Sequence, residues 1–148
     1  MLVFTLDPLR CGMPLGSVDR ISRIVEIAPL PQAPEIVLGV VNVHGEIIPV
    51  INIRKRFGVP ERELALSSHL IIARTTRRPV ALAVDAALGL VEASMENTAD
   101  AAEILPGLNH VQGVMKLEDG LVLIHSLDTF LSLEEDKTLQ QAMTLNSG

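Results

Sequence analysis

Tryptophan and tyrosine are absent from this chain of 148 residues, phenylalanine occurs three times and cysteine once. Without Trp or Tyr there are few flat surfaces on which a sugar, an unpaired base or a quaternary amine would stack. A lone Cys11 excludes an internal disulfide and gives no sign of an oxidising compartment. Placed in an expected strand over 11–15, it reads as a small apolar side chain. Cations are scarce as well: the net charge is −6, which argues against nucleic acid, because phosphate contacts need clustered Lys and Arg. No run approaches about 18 uninterrupted apolar residues, and no basic opening segment leads into a long apolar one. The expectation is a cytoplasmic protein with no direct membrane insertion, which reaches a membrane only through a partner.

Constellations for chemistry are also missing. His44, His69, His110 and His125 are too scattered for a helical or ribbon-type metal site, so no metal is expected. His44 in a turn and His125 near a strand end read as surface or hydrogen-bonded structural residues. Gly39 and Gly45 have neither phosphate-loop nor dinucleotide spacing, so no cofactor is expected. Asp85 follows an apolar strand, where an aspartate caps local backbone amides more often than it catalyses. The serines lack a nucleophile-elbow context. The chain is therefore read as a non-enzyme.

What is abundant is aliphatic. Hydrophobic residues make up 48 % of the sequence, almost wholly Leu, Ile, Val and Ala, and the length is enough to bury a core unaided. Short β-branched runs predict strands over 2–6, 11–15, 24–28, 37–43, 47–51, 69–75, 79–84, 88–93, 111–117 and 121–126. Turns at 7–10, 76–78 and 118–120 join neighbours into hairpins. Helical turns are expected at 16–21 and 52–57, a short helix around 99–105, and a longer helix over 126–143 with Leu127, Phe130, Leu131 and Leu133 on its apolar face. This spacing of short strands belongs to a mainly β, all-β protein of sandwich or barrel type. Charge is uneven: residues 1–80 carry ten Lys or Arg against seven Asp or Glu, and residues 81–148 carry two against eleven. The second half is either a solvated acidic surface or a field that orients a partner.

Residues 30–58 carry the densest information. Pro31 and Pro34 fix two φ angles and favour extended geometry before a hairpin of two apolar arms around His44, Gly45 and Glu46. Pro49 lacks a ladder donor, which predicts that its strand lies at an edge or a bulge. The pattern Pro31, Pro34, Leu38-Gly39-Val40, Asn42, Gly45, Ile47, Pro49-Val50-Ile51 and Ile53-Arg54 resembles that of the CheW-like family. The resemblance extends over roughly residues 1–131. It implies two SH3-like five-stranded β-barrel subdomains sharing a hydrophobic core, with short helices and a C-terminal helix. On that basis residues 1–133 are the CheW-like domain of two intertwined barrels, and 134–148 are an acidic, polar tail or helix extension. It further implies a non-enzymatic adaptor that couples a chemoreceptor to a CheA-type histidine kinase. The partners would be the kinase regulatory domain on a barrel face and the receptor's cytoplasmic tip in the groove between barrels. Exposed barrel edges can pair, yet a monomer in isolation is the expectation.

Ungapped alignment to the family pattern singles out Val18 and Ile21, which fall in its Val-x-Glu-Ile segment, and Gly39, which precedes the hairpin strand. These are candidates for the kinase-facing and receptor-facing surfaces; core packing for Val18 and Ile21, and a bulge or close strand approach for Gly39, are the structural alternatives. Two departures join them. Arg20 stands where the family has Glu, reversing a charge, and His44 stands where it has Arg, replacing a permanent charge by a titratable one. They point to a specialised paralogue with a dedicated partner. Two other readings remain. One is a carrier with an apolar molecule inside a barrel, the other a degenerate enzyme in which Asp85 matters.

Overall fold

The computed structural model describes residues 1–7, 9–91, 98–100, 111–117, 120–125 and 130–146. Its strands are β1 (Leu2–Leu6), β2 (Leu9–Met13), β3 (Val18–Arg23), β4 (Val37–Val43), β5 (Glu46–Ile51), β6 (His69–Arg74), β7 (Pro79–Val84), β8 (Ala86–Leu90), β9 (Thr98–Asp100), β10 (Val111–Leu117) and β11 (Gly120–His125). Helix α1 spans Ile53–Phe57, α2 spans Leu133–Asn146, and a 3-10 turn covers Leu15–Ser17. One sheet has the order β3-β6-β7-β5-β4 and the other the order β8-β1-β2-β11-β10-β9. The opening hairpin β1–β2 thus belongs with the closing strands, and the two halves of the chain interlock.

Both sheets follow one plan. In the first, β5 runs parallel to β7, joining hairpin β4–β5 to hairpin β6–β7. In the second, β11 runs parallel to β2, joining β10–β11 to β1–β2. A further strand then flanks each: β3 beside β6, and β8 beside β1. Beyond β3, Ala28 bridges Val40 of β4; beyond β8, β9 pairs with β10. Each sheet is so drawn round toward its own opposite edge. The expected pair of small barrels is present as architecture, but the ladders stay open and β9 makes the second sheet six-stranded. In the first sheet a single bridge at Ala28 stands where full closure would need a ladder.

The core explains why the strands read as near-continuous apolar runs rather than alternating ones. Along β7, Val80, Leu82 and Val84 face a layer shared with the other sheet, while Ala81 and Ala83 face inward with Val41, Ile48, Val50, Leu70 and Ile72. The shared layer takes Leu2, Phe4 and Leu6 from β1 and Ile71 and Ala73 from β6. Val3, Met115 and Val122 fill the second sheet's own interior. Buried in this apolar setting, the Cys11 thiol is pushed up to about 12, which keeps it protonated and inert.

Several expectations shift. The third strand is 18–23, not 24–28; the apolar residues that suggested it, Ile24 and Ile27, pack on the inner core from extended chain instead. The helical turn at 16–21 is confined to Leu15–Ser17. Pro49 lies on an inner strand, between β4 and β7. It is tolerated because the parallel ladder to β7 begins only at Val50, so no donor is missed there. The turn over 52–57 is α1, with the Asn52 side chain accepting from the Lys55 amide and Gly58 closing it at φ 68°. The short helix expected around 99–105 falls on β9 at its start and otherwise outside the described residues.

Helix α2 begins at Leu133 rather than 126 because Ser132 and Glu135 form a capping box. The Glu135 amide donates to Ser132 Oγ at 3.1 Å, and the Ser132 amide donates to Glu135 Oε1 at 2.8 Å. The helix docks: Leu139 and Ala142 are buried and Met143 packs on the shared layer, whereas Leu133 is 63 % exposed. Arg78 reaches across from the β6–β7 turn to Asp136 Oδ1 at 2.9 Å and Gln140 Oε1 at 3.0 Å, and Arg56 pairs with Glu135.

Gly39 satisfies both structural alternatives at once. It follows a bulge in the β4–β5 ladder at φ 155°, and a Cβ there would lie 2.3 Å from the Ala28 carbonyl oxygen. That carbonyl accepts from the Val40 amide at 2.8 Å, so the contact is the bridge that bends the sheet. Gly39→Ala should therefore lower unfolding free energy by about 2–3 kcal/mol; equilibrium denaturation within about 0.5 kcal/mol of the parent would contradict this geometry.

A second test concerns acid. Burial pushes the Glu135 carboxyl up, but the Ser132 amide, the Arg56 charge and their hydrogen bonds outweigh it, leaving the group below its ordinary value. A carboxylate depressed on folding contributes stability above its unfolded pKa and loses it as pH falls through the folded one. Glu135→Gln should cost roughly 0.5–1 kcal/mol near neutrality, with the gap to the parent closing between about pH 5 and 3. Melting curves across that range report it, and a gap independent of pH would refute the assignment.

Candidate partner-binding site

The flanking strands of the two sheets each carry apolar residues that the core does not take up. On β3, Val18 pairs with Ala73 and Ile21 with Ile71, both members of the shared layer. Cross-strand partners share a face, so Val18 and Ile21 look toward that layer too. Val18 is half-buried against it, and Ile21 is 45 % exposed. On β8, Ala87 pairs with Phe4 and Leu90 with Leu2, again residues of the shared layer. Leu90 is 65 % exposed and Leu88, at the β8 bulge, 56 %.

These positions correspond through the common plan of the sheets. Each flanking strand has its bulge after the first of the two residues, between Val18 and Arg20 and between Ala87 and Gly89. Ile21 and Leu90 come next on the same face. β8 also packs against β6, the neighbour of β3, so the two apolar margins flank the region where the sheets meet.

A polar node secures the same region. Arg54, buried on α1, donates through Nη1 to the carbonyls of Asp7 and Pro60, each at 3.0 Å. Its Nη2 donates to Asp85 Oδ2 at 2.6 Å, and the same oxygen accepts from the Asp7 amide at 2.7 Å and Arg62 Nη1 at 3.0 Å. Burial pushes the Asp85 carboxyl up, but the Arg54 and Asp7 hydrogen bonds and both guanidinium charges bring it below its usual range. Asp85 thus caps an amide, as its position after a strand suggested. The amide is not local: it belongs to the β1–β2 turn, 78 residues away. A cleft of about 340 Å³ opens beside the node, lined by Ile27, Leu38, Asn52, Glu61 and Leu64.

The three phenylalanines converge on one histidine. His125 is fully buried, with the ring of Phe57 stacked 4.2 Å away, Phe130 at 5.8 Å and Phe4 at 6.4 Å. Of its two expected roles, the structural one applies and the surface one does not. No group of three or more His, Cys, Asp or Glu among the described residues is arranged to hold a metal ion. No helix among the described residues is long and apolar enough to cross a membrane.

The sequence-predicted positions fall in two places. Val18, Arg20 and Ile21 share β3, while Gly39 and His44 belong to β4 and its turn, at the other margin of the sheet. Arg20 is exposed on the face opposite Ile21. His44 is exposed at φ 51° beside Gly45 at φ 85°, a two-residue hairpin turn with both φ positive. Sequence reasoning missed Leu88, Leu90 and the role of Arg54. An alternation signal could not find the leucines, since Leu88-Gly89-Leu90 reads as an ordinary apolar strand; only pairing shows that β8 is a flank.

Comparison with known proteins agrees with this construction. A family model for the CheW-like domain matches residues 1–135. The chain is 27 % identical over 132 residues to the chemotaxis protein CheW of Thermotoga maritima, covering 88 % of this chain and 86 % of that one. It is 28 % identical over 137 residues to the chemotaxis protein CheW of Rhizobium meliloti, covering 91 % and 88 %. The crystal structure of the scaffolding protein TtCheW from Thermoanaerobacter tengcongensis matches with a TM-score of 0.80 at 27 % identity, over 90 % of this chain and 92 % of that one. Interlocked sheets of one plan, a proline-led hairpin with its glycine bend, and a match spanning nearly the whole chain place this protein in the CheW-like family, the chemotaxis coupling proteins whose adaptor role joins receptor to CheA.

Proposed function

We propose that this adaptor holds the cytoplasmic tip of a chemoreceptor in the groove between its sheets and the regulatory domain of a CheA-type histidine kinase on the barrel that carries β3 and β4. The observation that carries the reading is a pair of exposed aliphatic side chains, Ile21 and Leu90, on equivalent flanking strands, each paired with a residue of the shared layer. An apolar groove with two such margins suits a helical hairpin, whose apolar anchors supply the affinity. Simultaneous occupancy of two surfaces is what lets a protein without chemistry of its own raise one partner's concentration near the other. The adaptor works in the cytoplasm and joins membrane receptor arrays through these contacts.

Arg20 and His44 support a dedicated partner set. Both are exposed on or beside the barrel margin, and each alters the charge that the family pattern has there. A carrier function finds no support in the interiors, which are filled by Val41, Ile48, Val50, Leu70 and Ile72 on one side and by Val3, Met115 and Val122 on the other.

Co-purification with solubilised membranes and cytosol tests the partners. The parent should retain a receptor and a histidine kinase, and Ile21→Glu or Leu90→Glu should reduce receptor recovery by about tenfold or more while the protein stays folded. Recovery of neither partner by the parent would remove the reading. For the paralogue, titration calorimetry against the standard kinase of the same organism should show weak binding that His44→Arg with Arg20→Glu strengthens. Ordinary micromolar-class binding unchanged by that double substitution would contradict it.

A further inference from the structure

Resting on the groove reading above, we infer that Arg54 and Asp85 are positioning residues for receptor binding: their ion pair fixes where β8 stands and so sets the gap between the two apolar margins. The motif arginine has no place in the groove itself. Its contacts explain why it acts on it.

β8, like β3, is held along one side only. It has one ladder, to β1, and a bulge interrupts that ladder between Ala87 and Gly89. Its last three residues are exposed. Its placement therefore depends on its ends. At the far end, the Met1 ammonium donates to the Val91 carbonyl at 2.9 Å and the Val91 amide donates to the Met1 carbonyl at 2.8 Å. At the near end stands Asp85, where the chain leaves β7 of one sheet and enters β8 of the other. Its amide donates to the Thr5 carbonyl at 2.9 Å, and its Oδ2 collects α1 through Arg54, the segment after α1 through Arg62, and the β1–β2 turn through Asp7.

Three elements from both sheets are thereby tied to the first turn of chain before β8. Arg54 is 9 % exposed and Asp85 20 %, so solvent screening of the pair is small. Arg54 also ties the Pro60 carbonyl, which keeps the chain after α1 folded back over the node. If the pair is broken, the β1–β8 ladder remains, but β8 loses its fixed origin relative to β6 and β3. The Leu90 margin then no longer stands at one defined distance from the β3 margin. The His44 turn on β4 takes part in none of the node's hydrogen bonds given above and should be indifferent to it.

The test uses the full chain, a soluble receptor-tip hairpin fragment and the isolated kinase regulatory domain as probes. Asp85→Asn should weaken binding of the receptor fragment about tenfold and leave the kinase domain within about twofold. Amide exchange should speed up at 86–90 with β6 and β7 unchanged. A merely structural role would weaken both partners alike and raise exchange in both sheets; that outcome, or no change in either affinity, overturns the inference. Should Asp85→Asn fail to fold, Arg62→Ala takes its place. Arg62 is 54 % exposed and gives only the outer hydrogen bond, so a loss of about threefold for the receptor fragment alone is expected. No loss would overturn the inference. Leu90→Glu separates the two layers of argument: if it has no effect on the receptor fragment, the groove reading itself falls. If Leu90→Glu acts and the node variants do not, only the positioning role falls.

Discussion

A dry layer covered on both sides by sheets tolerates a charge at its boundary only if every donor is met, and that condition falls on Arg54. An unpaired buried guanidinium would cost several kcal/mol, whereas one bonded to two carbonyls and a carboxylate contributes a fixed geometry. The side chain reaches the β1–β2 turn, the chain after α1 and the β7–β8 crossover together. The last is where the chain passes from one sheet to the other, and the first two bring a turn of each sheet to it. Interlocking the halves depends on this node in a way that it does not depend on any one aliphatic contact.

The apolar packing is, by contrast, distributed. β1, β6 and β7 each bury both faces, so the same strands serve an inner core and the shared layer. This doubles the apolar demand on a small protein and accounts for the scarcity of polar alternation in the sequence. It also explains the scarcity of large aromatics. Side chains facing two layers across closely packed strands fit best as Val, Ile, Leu and Ala. The three phenylalanines are gathered instead where the helices meet the second sheet, around His125.

For an adaptor, such a body is useful because its flanking strands are freed from the core by topology rather than by composition. β3 and β8 have the residues of ordinary strands, yet each has one neighbour, one bulge and one margin in water. Bulges on both redirect the chain at the same point. The surface proposed to meet a partner is thus made from the ends of the fold's own pattern.

By itself, the sequence determined that the protein is mainly β, most of its strands, the hairpin turn at His44 and Gly45, the cap of α1 at Asn52 and the family. Local chemistry suffices for these: β-branching, prolines, a positive-φ pair and a capping side chain act within a few residues. The glycine requirement at 39 was legible as a need, but its cause, the Ala28 carbonyl, is eleven residues away and emerges only when the sheet bends. Pro49 misled because an edge was inferred from a missing donor, while the length of the neighbouring ladder decides whether a donor is needed. The tertiary structure alone decided that Asp85 serves an amide 78 residues distant, that α2 docks, and that Ile21 and Leu90 stay exposed on flanking strands. These are relations between segments distant in the chain, and which face of a strand meets water is fixed by its neighbours rather than by its own residues.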